Sequence, residues 1–156
     1  MTSDEMMQAA IAAARRSPNR VRKVGAVLVP ASGEPVSSAC NDYPRGVRDT
    51  ELRHQGDGRL VWMEHAERNA IYAAARAGTA TDGATLASTY FPCVDCARAI
   101  VQAGIGHLHT LPPDLDDPVW GASFVASRVI LEEAGVALHF STRDPAQVHA
   151  STMAPP

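Results

Sequence analysis

Cysteine is scarce in this chain, long apolar runs are missing, and basic residues nowhere cluster. The three cysteines, Cys40, Cys93 and Cys96, cannot all pair within one chain. That count speaks against a disulfide-stapled secreted fold, and in a reducing compartment the close pair Cys93/Cys96 reads as metal-binding or redox-active. No apolar stretch reaches the length of a membrane span, and Met1–Ile11 has neither a basic n-region nor an apolar h-region. A cytoplasmic protein with no membrane partner is the expectation. With 14 basic and 17 acidic residues the net charge is -3. The absence of a Lys/Arg cluster argues against a nucleic-acid polymer as partner, though not against a single nucleotide.

What is present fits one globular domain over residues 1–150, followed by a disordered tail at 151–156. Asp4–Arg16 is alanine-rich, acidic at its start and basic at its end, the charge order a helix dipole favours. Val24–Val29 and Val36–Cys40 read as two strands around a turn containing Ser32-Gly33-Glu34. Asn41–Arg59 is polar and aperiodic and reads as a long loop. Helices are expected over Glu64–Arg76, Cys93–Ala103 and Phe124–Ala134, with strands at Ala84–Thr89, His107–Leu111 and Val136–Phe140. A hairpin followed by alternating helices and strands implies an α/β sandwich with a mixed sheet.

Two short segments carry the chemistry: His65-Ala66-Glu67 at the start of one helix and Pro92-Cys93-Val94-Asp95-Cys96 at the start of another. One imidazole and two thiols make three ligands for Zn²⁺ and leave a fourth tetrahedral position for water, the layout of a catalytic site. Cysteines three apart on a first helical turn point their sulfurs the same way, and a helix N-terminus favours the thiolate that binds metal. Glu67 can border this site without ligating it, as a proton shuttle must, while zinc lowers the pKa of water to roughly 7. Either motif alone is weak. Together, in this order, they form the signature of zinc-dependent nucleobase deaminases.

The match extends beyond the ligands. "VGAVLV", "NDYPRGV", "EHAERNAI" and "FPCVDCARAIVQAGI" run in the order that resembles the cytidine and deoxycytidylate deaminase superfamily, most closely its deoxycytidylate branch, over roughly Val21 to Phe140. The resemblance implies a three-layer α/β/α sandwich on a five-stranded sheet, a homo-oligomer, and hydrolytic deamination with release of ammonia, dCMP to dUMP being the first candidate. It implies zinc on His65, Cys93 and Cys96, and Glu67 as the catalytic carboxylate. It also places Asn41 at the substrate sugar, Asn69 near the site, Ala26 and Pro92 in the base pocket, and Arg45 toward a 5′-phosphate. The acidic and aromatic stretch Pro113–Phe124 departs from the expected shorter connection, and Trp120 or Phe124 is a candidate to close over the ring.

Other readings stay open at this stage. The same chemistry could act on a free base, a purine nucleotide or a modified amino-heterocycle. From other classes come a non-catalytic zinc-binding scaffold or sensor and a thiol–disulfide oxidoreductase. Cys40 reads as a buried structural thiol. His54, His107, His109, His139 and His149 have no ligand spacing to one another along the chain, and of these only His54 lies in the loop expected over the site.

Overall fold

Short aliphatic strands and alanine-rich helices alternate along the chain, and the computed structural model, which describes residues 1–34 and 36–155, shows how they stack. Five strands, β1 (Gly25–Val29), β2 (Ser37–Cys40), β3 (Thr85–Ser88), β4 (His107–Thr110) and β5 (Ala137–Phe140), form one sheet in the order β2-β1-β3-β4-β5. β1 runs antiparallel to β2 and β3, whereas β3, β4 and β5 are mutually parallel. The parallel pairs are joined by helical crossovers, as parallel strands require. Helices α1 (Ser3–Ala14) and α7 (Pro145–Met153) lie on one face; α4 (Ala66–Ala77), α5 (Val94–Gln102) and α6 (Gly121–Glu133) lie on the other. The expected mixed-sheet sandwich is therefore present.

Period-two alternation explains the layering. Leu28, Leu86 and Leu108 point toward α4, α5 and α6, where they meet Ala70, Ala74, Ile100 and Leu131 in the main core. The alanines on α4 let it approach the sheet closely. On the opposite face α1 comes closer still. A Cβ at Gly25 would sit 1.9 Å from the Ala10 carbonyl oxygen, so only glycine fits at the start of β1. Helix α1 is fixed at its own start by a reciprocal pair of bonds: Glu5 N–H donates to Thr2 Oγ1 and Thr2 N–H donates to Glu5 Oε2.

Three expectations are corrected. The segment 41–59 is not a plain loop, because it contains α2 (Glu51–His54) and the start of α3 (Gly58–Trp62). Helices of four and five residues are too short to show a period. Helix α6 begins at Gly121, three residues earlier than expected, where Asp117 Oδ1 accepts from the N–H groups of Val119 and Trp120. Residues 151–153 are not a disordered tail but the end of α7, with Thr152 fully buried and the Ser151 carbonyl accepting from Arg15 Nε. Asp144 capping Ala146, with Pro145 in the first turn, is the start signal that the composition of the tail obscured. Pro156 lies outside the described residues.

Helix α7 also carries a pH-sensitive packing contact. His149 stacks on Tyr90 with ring centroids 3.9 Å apart, and its Nε2 is buried without a hydrogen-bond partner. Burial, followed by the cation of Arg22, holds its pKa below the usual 6.5. The folded protein binds this proton less readily than the unfolded chain. The stabilising contribution is thus complete above 6.5 and is lost as the pH falls toward the folded value. His149→Phe, which keeps the stack, is expected to flatten the decline in Tm between about pH 7.5 and about pH 5. Equal slopes in differential scanning fluorimetry would remove this group from the acid response.

Candidate active site

Helices α4 and α5 aim their N-termini at one point. His65 is the N-cap of α4 and Cys93 the N-cap of α5, while Cys96 sits in the first turn of α5 with no exposed surface. Their ligand atoms converge: His65 Nδ1 is 3.4 Å from Cys93 Sγ and 3.5 Å from Cys96 Sγ. A tetrahedral ion with bonds of about 2.05 Å to nitrogen and about 2.3 Å to sulfur would hold such atoms about 3.6 Å apart. The three side chains therefore fit zinc in donor type and spacing, and they are the only such cluster among the described residues.

The protons of this cluster agree with that fit. Cys93 is lowered to about 4, first by a hydrogen bond from the Cys96 thiol and then by His65, against the effect of burial. Cys96 is raised by the same bond and by burial. Metal binding needs both sulfurs as thiolates, so a divalent cation would displace the thiol proton of Cys96. The surrounding charge favours anionic sulfur. Arg68 lies in the first turn of α4, bonded to Glu64 and 3.8 Å from Asp95, and its positive charge is felt at Cys93 and Cys96. Glu64 steadies the entry to α4: its carboxylate accepts the His65 N–H at 2.9 Å, and its backbone bridges Asp42.

Glu67 is 3% exposed. One carboxylate oxygen accepts from Ser88 Oγ at 3.3 Å, and the other lies 3.6 Å from Cys96 Sγ. Burial raises its pKa, opposed by the charge of His65. A carboxyl so placed borders the His65/Cys93/Cys96 cluster within reach of a proton there, without being one of its three ligand groups.

A concave cleft opens over His65, Glu67 and Cys93. Trp120 meets the His65 ring edge-on at 5.5 Å, and Phe124 meets Phe91 in the same way at 5.8 Å, so both aromatic residues of the unusual 113–124 segment line the cleft. Asn41 also lines it, but with its amide committed: Oδ1 accepts from Val24 N–H and Nδ2 donates to the Arg22 carbonyl. The remaining expected substrate contacts fall outside the lining. Ala26 is buried in the core, and Asn69 ties α4 to β2 through the Cys40 carbonyl. The Pro92 carbonyl accepts from Ser127 Oγ, and Arg45 is exposed on its turn. His54 is engaged by Asp49 and Tyr43 rather than by the cleft. Cys40 is buried, as expected.

Sequence reasoning missed several lining residues. Tyr90 and Phe91 could have been found, because they immediately precede the Pro-Cys motif. Arg22 and Arg59 carry no local signal, since only the fold brings them to the cleft. Arg22 is held by Asp117 at 2.6 Å and lies over the Tyr90 ring at 4.6 Å. Beyond it a second cavity, lined by Asp114, Asp117, Pro145 and His149 among others, shares Arg22, Tyr90, Phe91 and Phe124 with the first.

Comparison with known proteins agrees with this geometry. The profile of the cytidine and deoxycytidylate deaminase zinc-binding region matches residues 1–111. An uncharacterized deaminase of the luxG 3′ region of Aliivibrio fischeri is 34% identical over 116 residues, covering 73% of this chain and 76% of that protein. Deoxycytidylate deaminase of Homo sapiens is 29% identical over 136 residues, covering 83% and 74%. The dCMP deaminase of cyanophage S-TIM5, solved in complex with dCMP and dUMP, shares the fold with a TM-score of 0.71 at 24% identity, over 88% of this chain and 95% of that one.

Proposed function

The chain belongs to the cytidine and deoxycytidylate deaminase family, and on that premise we propose that it hydrolyses the exocyclic amine of dCMP to give dUMP and ammonia. The observation that carries this reading is the buried Glu67 carboxylate beside the His65/Cys93/Cys96 cluster, at the floor of a cleft with aromatic walls. A purely structural zinc site has no use for an uncoordinated, buried carboxylate, which burial alone would disfavour.

His65, Cys93 and Cys96 would hold zinc, which when bound supplies a water acidic enough to act as nucleophile near neutral pH. Glu67 takes one proton from water at Oε2 and passes it to the ring nitrogen, then takes that water's second proton and passes it to the amine, which leaves as ammonia, while Ser88 fixes Oε1. Trp120 and Phe124 exclude water and pack against the ring. Asn41 acts through the backbone it holds, keeping Arg22–Val24 in place at the rim. For a 5′-phosphate, Arg59 takes the part expected of Arg45. It lines the cleft with no ion-pair partner among the described residues, whereas Arg22 is already neutralised by Asp117. For self-association, the outer side of α6 offers one apolar surface, where Val125 and Val129 are about half exposed.

Ammonia release from zinc-replete enzyme tests this reading, with dCMP, deoxycytidine, cytosine, guanine and adenine nucleotides as substrates. We expect kcat/KM for dCMP to exceed that for deoxycytidine by at least about a hundredfold, and Arg59→Ala to remove most of that difference by raising KM. Equal turnover of nucleotide and nucleoside would end the dCMP assignment. Silence on every pyrimidine would transfer it to a purine or a modified amino-heterocycle, for which the adjoining cavity offers room.

A further inference from the structure

The histidines outside the active site have no ligand spacing along the chain, but the sheet supplies one. His107 and His109 lie two apart on β4 and so share a face, and His139 on the parallel neighbour β5 stands opposite His109. The three imidazoles meet there. His107 Nδ1 is 3.2 Å from His139 Nε2, and the His109 ring stacks on His139 with centroids 4.4 Å apart and planes within 13°. His109 is itself fixed by a hydrogen bond between its Nδ1 and Ser3 Oγ at 2.8 Å. His107 and His139 are exposed to solvent.

We propose that His107 and His139 form a second metal-binding site, distinct from the cysteine-containing centre, that takes a borderline divalent transition cation of the Cu²⁺, Ni²⁺ or Zn²⁺ type. The spacing is the first reason. Two nitrogens about 2.05 Å from one ion lie about 3.3 Å apart at a tetrahedral angle and about 2.9 Å apart at a right angle, and the observed 3.2 Å falls between these limits. Pre-orientation is the second. The stacked His109 ring limits rotation of His139, and the Ser3 hydroxyl holds His109, so less side-chain freedom is lost on chelation.

The proton balance is simple. The hydrogen bond between the two rings places one N–H between the facing nitrogens. Chelation moves that proton to the outward nitrogen of the same ring, leaving two lone pairs for the metal and no net proton release. Water completes the coordination sphere. Imidazole donors select these cations over Mg²⁺ and Ca²⁺, which prefer oxygen. This site does not depend on the deaminase reading.

The test is calorimetric titration of untagged, zinc-replete enzyme with NiCl₂, and with CuCl₂ followed by electron paramagnetic resonance. One equivalent beyond the cysteine-centre metal is expected, with two nitrogen couplings in the copper spectrum. His107→Gln and His139→Gln should each weaken this binding by about tenfold or more, and His109→Gln by less. Both ligands are exposed, so unchanged melting curves will verify that the variants fold. No additional equivalent in the wild type, or undiminished binding in the His107→Gln/His139→Gln double variant, would overturn the assignment.

Discussion

Glu67→Gln is expected to lower kcat about a thousandfold while leaving bound zinc at the wild-type stoichiometry. The two halves of that result come from different atoms. Glutamine has the size of glutamate and can keep its carbonyl oxygen on Ser88 Oγ while its amide faces Cys96 Sγ, so neither packing nor the ligand set changes. What disappears is the capacity to accept a proton, and hydrolysis of an amine needs that capacity twice: water must lose both its protons, one to the ring nitrogen and one to the leaving amine. Because the carboxylate is 3% exposed, no bulk-water pathway substitutes for it readily. The measurement pairs steady-state ammonia release with metal analysis of the same sample. A loss of less than tenfold would mean that another group carries the proton, and Glu67 would then be a structural neighbour of the metal only. A loss of zinc along with activity would instead make it a ligand.

How much of this was legible in the sequence depends on whether the signal is local. The metal cluster was legible because each motif fixes its own geometry: an N-cap and a first-turn residue on α5, and an N-cap on α4, point where helix ends point. The sheet was legible because VGAVLV and its partners are short aliphatic runs bounded by turn residues. The rest of the cleft was not. Arg22 and Arg59 stand in segments without periodicity, and their common address is set by the antiparallel entry into β1 and by a helix of five residues. Asn41 was read as a substrate contact, yet the fold uses its amide to bind two backbone groups. The 113–124 stretch signalled its difference by composition alone. Its physical meaning, an Asp117–Arg22 pair that fixes the loop carrying Trp120 against His65, needs residues 95 positions apart to meet. The same holds for His107 and His139, 32 positions apart.

Cys96→Ala is expected to abolish both zinc binding and turnover, and to bring the melting temperature down to that of chelator-treated wild type. The argument rests on what folding does with this group. Cys96 is completely buried, and its position beside Cys93 together with burial raises its thiol pKa. A metal bound only by the folded state adds RT ln(1 + [Zn]/Kd), about 4 kcal/mol at a thousandfold excess over Kd. Losing one of three protein ligands removes most of that gain, whereas the small cavity left by a sulfur costs only about 1 kcal/mol. The variant should therefore melt near the chelated wild type and respond to neither zinc nor chelator. This convergence separates a metal effect from a packing effect: a variant destabilised only by lost packing would still gain stability from added zinc. Differential scanning calorimetry with and without chelator, together with zinc analysis, decides the matter. Full zinc occupancy and a wild-type melting curve in Cys96→Ala would remove this thiolate from the metal site and leave His65 and Cys93 without a third protein ligand.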